Sequence, residues 1–371
     1  MKRAACAALA AALALSCGGC GGSNRNAVAD PGPPPPRALP ASKGAVRYIS
    51  TQGSDRAAGT RKRPWRTIRK ALRTLRPGQT GVVLAGRYEE NVQMTRSGRP
   101  RAPITLRGRR GAVLAGTGRD AVPLEFAGAG YVRVTGLTIE GATGSSTTDV
   151  YASGGAHDIE LSRCRIRGSA RQGFFSEATT RRIRILRCRI QDNGGQGPRH
   201  LDHNIYIEGS GHVVAGNLIT GARNGYGIQI YPSSHDILVA FNTIAHNGMG
   251  GIVIGSDGPS TTTGARIVNN VIAHNGGEGI STFWGGQVGR DNLVLRNLAW
   301  GNAGGAYAHG AGVTLRDNLT GDPRFADEAG GDYRLQRGSP AENRAAAGYA
   351  AVIRRTARGG RADLGAYELP R

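Results

Sequence analysis

The chain has 371 residues, 59 of them Gly, with 5% aromatic residues and a formal net charge of +22. Dense alternation of Val, Ile and Leu excludes a disordered Gly-rich chain and favours a turn-rich β protein. The positive charge fits a surface that attracts acidic polysaccharide, or a basic surface without a specific ligand. We expect no nucleic-acid partner, because no nucleic-acid-binding module is recognisable and the chain starts with an export signal.

Residues 1–16 have the pattern of a secretory signal: a basic start, an apolar core too short for an ordinary spanning helix, and small residues. Ala14-Leu15-Ser16-Cys17 resembles a bacterial lipoprotein cleavage box, so Cys17 is the candidate lipidated residue, with plain cleavage as the alternative. Residues 17–45 form a Pro-rich tether that cannot pack a core. We therefore predict a secreted monomer, held only by a lipid anchor on the outer face of the bacterial cytoplasmic membrane or cell envelope.

Residues 46–80 are predicted to form a strand followed by a capping α-helix. Trp65, Ile68, Leu72 and Leu75 would lie on one face of that helix, with Arg and Lys opposite. Pro77-Gly78 ends it. Such a helix would cover the exposed first edge of the long β region that follows.

Short strands and turns then repeat through residues 81–320, at intervals of 21 to 29 residues between equivalent turn positions. Those positions are Gly136, Cys164, Cys188, Asn217, Asn242, Asn270, Asn297 and Asn318. A period of this length without helices predicts a β-solenoid, and Asn at one turn position can hydrogen-bond along the stack as a ladder. The two stacked Cys are predicted to be buried free thiols rather than a disulfide, because parallel in-register side chains seldom have suitable torsions.

These features resemble the secreted right-handed parallel β-helix proteins, the superfamily that includes pectate lyases, alginate lyases and mannuronan epimerases. The similarity is carried by Tyr48-Ile49-Ser50 and Pro64-Trp65-Arg66-Thr67-Ile68 near the start, and by Asp363-Leu364-Gly365-Ala366-Tyr367-Glu368 in a closing segment at 321–371. The resemblance implies an all-β fold: a single-stranded right-handed parallel β-helix with an N-terminal capping α-helix. It also implies action on polysaccharides, without specifying the reaction.

In the strand after each Asn turn, alternate residues face outward, and this outward face carries many of the aromatic residues. An extended sugar chain could stack on their ring faces, although a patch of surface aromatics without a ligand is the alternative. In the last coil the alternation predicts that Tyr307 and His309 face outward. The candidate substrate-binding residues are Arg171, Phe175, Glu177, Arg199, Glu208, Tyr226, Gln229, Tyr231, Phe283, Trp284 and His309.

The stretch 199–208 breaks the repeat's template and falls in its longest interval, 29 residues. Its reactive residues, with one Arg of the next coil, are the candidate catalytic set: His200, Asp202, His203, Tyr206 and Arg223. His203 and Tyr206 could act as base and acid, Asp202 could orient a His ring, and an Arg could bind a substrate carboxylate. The remaining His are assigned to turns of the scaffold: His157, His212, His235, His246 and His274.

The predicted function is that of a lyase or epimerase that removes the proton beside the carboxylate of an acidic, uronate-containing polysaccharide, followed in the lyase by β-elimination. The alternative is a non-catalytic carbohydrate-binding or surface-presented β-helix protein. No cofactor is required by the sequence. Glu177 and Glu208 stack in adjacent coils and could bind Ca²⁺, act as two hydrolytic carboxylates or share a proton. We expect no cluster of three or more acidic residues on the outward face.

Overall fold

In the computed structural model, residues 38–118, 121–141, 148–195, 201–283, 288–353 and 361–369 are described. The predicted signal and Cys17 lie outside these ranges, as do Arg199, His200, Trp284 and the side chain of Phe283. No helix in the described ranges is long and apolar enough to cross a membrane.

Three long parallel sheets make up most of the described chain. The first sheet contains Val46–Ile49, Thr80–Val83, Ile104–Gly108, Gly130–Thr135, His157–Ser162, Arg184–Leu186, Val213–Ala215, Leu238–Ala240, Arg266–Val268, Asn292–Leu295 and Val313–Arg316. The second contains Val92–Met94, Leu124–Ala127, Val150–Ser153, Phe174–Ser176, Ile205–Ser210, Tyr226–His235, Gly250–Gly255, Ile280–Phe283 and Tyr307–Ala308. The third contains Gly86–Glu89, Ala112–Ala115, Thr138–Glu140, Arg165–Arg167, Arg189–Gln191, Leu218–Thr220, Thr243–Ala245, Val271–Ala273, Leu298–Trp300 and Leu319–Thr320.

Within each sheet, every strand pairs in parallel with the strands one coil before and after it, so the chain winds as a parallel β-helix. This confirms the predicted fold class. The inward residues of the second sheet form continuous columns, one of which runs through Val150, Phe174, Ile205, Ile228 and Ile252. All five are at most 1% exposed, and this column is part of the largest apolar core.

The predicted Asn ladder is present at the turn between the first and third sheets. The Nδ2 of Asn217 donates to the Oδ1 of Asn242, that of Asn242 to Asn270, and that of Asn270 to Asn297, at 2.8–2.9 Å. Each of the three donor residues also donates from Nδ2 to a backbone carbonyl of the solenoid interior. Because these amides are buried, the ladder both satisfies them and fixes the register of neighbouring coils.

Cys164 and Cys188 continue this column as buried free thiols, as predicted. Each thiol lies 3.5 Å from a backbone carbonyl oxygen two residues earlier, at Ser162 and Leu186. Burial and the neighbouring Cys164 thiol raise the pKa of Cys188. Such a thiol stays protonated and behaves as a small apolar side chain.

The capping helix runs from Ile68 to Thr74, with Thr67 as its N-cap. The Thr67 hydroxyl accepts the Lys70 N–H at 3.0 Å, and the Glu90 carboxylate accepts the N–H groups of Ile68 and Arg69. Its apolar face is buried against the first coil, as the spacing of Ile68 and Leu72 predicts. The helix therefore covers the open end of the core.

The last coil of the second sheet departs from the predicted alternation. Tyr307 pairs with Ile280, a residue of the inward column, so its ring points into the solenoid rather than outward. Its hydroxyl donates to the backbone carbonyls of Asn297 and Leu319. Among the described residues no further strand follows in this sheet to cover the core, so a large ring with a polar tip closes the end. The prediction that Tyr307 faces outward was wrong.

The closing segment contributes an antiparallel hairpin, Phe325–Asp327 with Asp332–Leu335, and a 3-10 helix, Ala350–Ile353. Tyr333 of the hairpin packs against Leu218 and Ala245 on the outer side of the third sheet. The 3-10 helix packs against outer residues of the first sheet in a second apolar cluster.

The Asn ladder gives a stability prediction. Asn242→Ala removes a buried acceptor for two donors of Asn217 and a donor to Val214. We expect a loss of about 3 kcal/mol in the free energy of unfolding, since each buried polar group left unpaired costs about 1–3 kcal/mol. Denaturant-induced unfolding followed by circular dichroism measures it. The control is Asn91→Ala, whose amide bonds Thr117 at an exposed turn, and an equal loss in both variants would contradict the ladder's role.

Candidate functional site

Three aromatic rings stack along the outward face of the second sheet. Tyr151, Phe175 and Tyr206 occupy one register position in successive coils. Their ring centroids are 5.3 and 4.9 Å apart, with 16° between planes in both pairs. Because each ring covers the face of the next, Phe175 presents only its edge, so the expected stacking of sugars on ring faces does not fit these three residues.

Ser153, Glu177 and Glu208 lie two residues further along the chain from the three rings. The Tyr151 hydroxyl donates to Oε1 of Glu177, and the Gly154 N–H donates to Oε2 at 2.9 Å. Hydrogen bonds of the Glu208 carboxylate to Tyr206 and to the backbone of Ala178 lower its pKa, but less than burial raises it.

Acidic residues on this face are more numerous than the sequence led us to expect. Glu125 precedes Tyr151 in the aromatic column. Asp257 hydrogen-bonds Tyr231, which lies one coil after Glu208. The charges of Glu125, Glu177 and Glu208 all act on the Tyr151 hydroxyl. The expectation that no cluster of three acidic residues occurs on this face was therefore wrong. The prediction failed because Glu125 belongs to a coil whose register was not assigned from the sequence.

Burial and neighbouring carboxylates set the protonation of this face. Burial and the charge of Glu177 raise the pKa of Glu208. Burial, together with Glu208, also raises the pKa of Tyr206 well above its usual value. Tyr206 is therefore a protonated hydrogen-bond donor at neutral pH, and Glu208 is a stronger base than an exposed carboxylate.

Asp202 and His203 are both buried, at 0% and 1% exposed. Asp202 accepts the Nε–H of Arg171 at 3.0 Å and the N–H of Gly195 at 3.3 Å. Arg171 is thus paired with Asp202 of the next coil, which holds the Arg171 side chain in place.

The His203 ring lies between two Tyr rings, with centroid distances of 5.8 Å to Tyr206 and 5.9 Å to Tyr226. Its Nδ1 accepts the backbone N–H of Tyr226 at 3.1 Å. That bond assigns the proton of the neutral ring to Nε2. The ring of His203 is therefore next to that of Tyr206 but beneath the surface, and its predicted role as a base that reaches the substrate stays a prediction.

Asn204 has a structural role that the sequence did not reveal. A second Asn column, at the turn between the third and second sheets, contains Asn193, Asn247 and Asn275 but has Ala222 in the intervening coil. Asn204 bridges this gap: its Oδ1 accepts from Asn193 and its Nδ2 donates to Asn247, both at 2.8 Å.

Arg223 does not lie on the outward face. Its side chain packs over Gly195 and lines a shallow cavity of about 320 Å³ on the third-sheet side, with Glu140, Arg167 and Asp192. The structure thus separates Arg223 from Tyr206 and Glu208, because the turn before Tyr226 directs it toward the preceding coil.

The other predicted binding residues are divided between surface and interior. Tyr231 is partly exposed, and His309 is exposed on the terminal coil in register with Thr282 of the inward column. Tyr226 and Gln229 are both 2% exposed, and the Oε1 of Gln229 has no hydrogen-bond partner among the described residues. Burial raises the pKa of Tyr226 to about 12.

His212 has the scaffold role predicted for it. Its Nδ1 accepts the Ile183 N–H at 3.0 Å and its Nε2 donates to the Glu208 carbonyl at 2.8 Å. Burial lowers its pKa to about 4, so the ring is neutral. It holds the strand where the register shifts between Ile207 and Gly209.

His246 and His274, also assigned to the scaffold, have a partner that the sequence did not indicate. Both rings reach Oε1 of Glu328 in the closing hairpin, at 2.8 and 2.7 Å. Within the described ranges these three residues are the one group of three His, Cys or acidic side chains whose ligand atoms lie within 4.8 Å of one another. The identical Ala-His-Asn-Gly turns gave the only sequence signal for this group.

The coiling and the sheet order together define a right-handed parallel β-helix with a pectate lyase-like fold. Solved structures support the fold. A pectate lyase, Pel9A, aligns with a TM-score of 0.67 at 14% identity, covering 89% of this chain and 98% of its own. A structure titled glycoside hydrolase aligns with 0.59 at 10%, covering 74% and 97%, and a rhamnogalacturonan lyase with 0.57 at 12%, covering 75% and 87%.

The chain belongs to the NosD family, described as periplasmic copper-binding protein, which it matches over residues 119–318, more than half its length. It is also 26% identical over 209 residues to the uncharacterized protein YwoF of Bacillus subtilis (strain 168), and that match covers 50% of this chain but only 44% of YwoF. The periplasmic location in the family description agrees with the extracytoplasmic location predicted from the signal, and lipidation of Cys17 stays a prediction.

The raised pKa of Glu208 predicts a pH-dependent stability. Below the ordinary value of 4.5 the carboxyl is neutral in both folded and unfolded chains. As pH rises above 4.5 the unfolded chain ionises first, so stability falls until the folded group has also ionised. Glu208→Gln should therefore raise the melting temperature at neutral pH and leave it unchanged below 4.5.

Thermal unfolding of the wild type and the variant at neutral pH and below pH 4.5 measures this effect. The matched control is Glu89→Gln, an exposed carboxylate on the third sheet whose side chain is 67% accessible. A Glu208→Gln variant that is less stable than wild type at neutral pH would show that ionisation of this group favours folding.

Proposed function

We propose that this protein binds an extended polysaccharide along the outward face of the second sheet and acts on it at Tyr206 and Glu208. The observation that carries the proposal is the repeat of Tyr–carboxylate pairs on that face: Tyr151 with Glu177, and Tyr206 with Glu208. Carboxylates and phenols supply the acceptors and donors that sugar hydroxyls need. Because their strands lie in one parallel sheet, the pairs follow the solenoid axis, the direction in which an extended chain would lie.

Proton abstraction beside a uronate carboxylate is the reaction that these groups serve best. Glu208 takes the proton from the ring carbon next to the carboxylate. In a lyase, the electron pair forms the carbon–carbon double bond, the bond to the leaving oxygen breaks, and Tyr206 gives that oxygen a proton. In an epimerase, Tyr206 instead donates a proton to the same carbon from the opposite face of the ring, and no bond to oxygen breaks. His203 is a positioning residue in this scheme, since its ring is buried against Tyr206.

The charge of the face adds a requirement. A uronate polymer brings carboxylates close to Glu125, Glu177 and Glu208, and like charges at such distances repel. We therefore expect the reaction to need Ca²⁺, bound between Glu177 and the substrate carboxylate. The names of the structures with this fold, which include two lyases and a glycoside hydrolase, support a polysaccharide substrate but not a particular reaction.

Non-catalytic carbohydrate binding is the second candidate function. Two contacts favour it. The three aromatic rings stack on one another, and Nδ1 of His203 accepts a backbone N–H, so these groups already have structural roles. In that case the same face binds polysaccharide and leaves it intact.

A panel of uronate and neutral polysaccharides, each with Ca²⁺ or with a chelator, tests the proposal. Ultraviolet absorbance detects the unsaturated product of a lyase, and exchange of solvent deuterium into the polymer detects an epimerase. We expect turnover of a uronate polymer with Ca²⁺. Tyr206→Phe and Glu208→Gln should lower it by at least about 100-fold, the range for loss of a general acid or base.

Glu89→Gln on the third sheet is the control and should keep full activity. Binding without turnover in the wild type would select the non-catalytic alternative. Full activity of Glu208→Gln would rule out Glu208 as the base. Absence of both binding and turnover with every polymer would contradict the assignment of this face to polysaccharide.

A further inference from the structure

We infer that His246, His274 and Glu328 form a binding site for a divalent transition-metal ion, on a different side of the solenoid from the outward face. His246 Nε2 and His274 Nδ1 lie 2.8 and 2.7 Å from the same carboxylate oxygen, and the three ligand atoms are within 4.8 Å of one another. Metal–ligand bonds of about 2.0–2.2 Å place the donors of a tetrahedral ion about 3.3 Å apart. Small side-chain movements would therefore let an ion replace the shared protons.

The two His occupy equivalent turn positions in successive coils. They follow the strands of the third sheet in a column that has Gly221 before them and Gly301 after them. Both His have φ of 54°, in the left-handed region where Gly is least strained. This column therefore carries His in two successive coils, between coils that carry Gly.

The flanking Gly also makes room for the site. A Cβ atom at Gly301 would lie only 2.3 Å from Cδ2 of His274, so the His274 ring lies directly over this Gly. The two imidazole rings are close to each other, with centroids 5.7 Å apart and 39° between planes. Adjacent coils thus aim two nitrogen ligands at one point without insertion of extra residues.

Glu328 is positioned by contacts that do not involve the His residues. It lies in the turn of the closing hairpin, where the Gly331 N–H donates to its carbonyl at 3.0 Å. Arg189 binds the carbonyl of Gly331 at 3.0 Å, and Tyr333 is buried against the third sheet. Since the hairpin is fixed independently, the carboxylate is already in place before any ion binds, which lowers the cost of assembling the site.

The donor set indicates the class of ion. Two imidazole nitrogens and one carboxylate oxygen suit Cu²⁺, Zn²⁺ or Ni²⁺ better than Mg²⁺ or Ca²⁺, which prefer oxygen ligands. In the order of divalent-ion affinities Cu²⁺ binds such donors most tightly. The three side chains are 46%, 32% and 27% accessible, so an ion can enter from solvent and keep water in its remaining positions.

Titration of the chelator-treated full-length protein with Cu²⁺, followed by calorimetry and electron paramagnetic resonance, tests this inference. We expect one Cu²⁺ with hyperfine coupling to two imidazole nitrogens. The variants His246→Gly and His274→Gly carry the residue found at the same turn position in neighbouring coils. Both variants should therefore fold, and circular dichroism checks this. Each should weaken binding by more than about 100-fold, since loss of a supporting residue alone costs 10–100-fold.

Glu328→Gln keeps the hydrogen-bond acceptor but removes the charge, and it should also weaken Cu²⁺ binding. The control is His235→Gln, an exposed His at the end of a second-sheet strand, which should bind Cu²⁺ like the wild type. Unchanged affinity and unchanged nitrogen coupling in His246→Gly and His274→Gly would overturn the site. So would tighter binding of Mg²⁺ than of Cu²⁺.

Discussion

Parallel pairing between successive coils is the constraint on which the rest of the molecule depends. Every strand of the solenoid must offer its backbone to the coil before and the coil after it, and a slip of one residue would turn the inward column outward. Two columns of buried Asn amides fix this register at the turns, one through Asn217, Asn242 and Asn270 and the other through Asn247 and Asn275. The apolar core is then a consequence of the register.

The same constraint builds both candidate sites. Residues at one register position in successive coils are held about 4.8 Å apart at the backbone. On the second sheet this brings Tyr151, Phe175 and Tyr206 into a stack whose ring contacts are each worth about 0.5–1.5 kcal/mol. At the turn that follows the third-sheet strands it brings His246 next to His274. In this fold, a cluster of side chains therefore forms where one register position carries the same type of residue in successive coils.

Features with a period of two residues or of one coil could be predicted from the sequence. The fold, the ladder through Asn242 and the outward positions of Tyr206 and Glu208 follow from those periods alone. Contacts with segments that lie outside the repeat could not be predicted. Glu328 is 54 residues from His274 and 82 from His246, so nothing in the pattern places it against either. Tyr307 was misassigned because its ring closes the core at the last described strand of the second sheet, where the alternation of the earlier coils no longer holds.

The stretch 199–208, which breaks the repeat, also shows why residue types alone predict too many catalytic residues. Asp202 and Asn204 looked reactive or polar in sequence, yet both are fully buried, because an insertion that carries polar groups inward must satisfy them there. Asn204 does so by joining Asn193 to Asn247 across the gap at Ala222.

The link that Asn204 makes between Asn193 and Asn247 also helps to position the candidate site. Asn204 immediately precedes the strand Ile205–Ser210, so the ladder fixes the first residue of the strand that carries Tyr206 and Glu208, while His212 holds the Glu208 carbonyl further along. A site mounted between two such anchors keeps its donors and acceptors in place without a ligand. Asn204 and His212 therefore fix the backbone on both sides of the residues Tyr206 and Glu208.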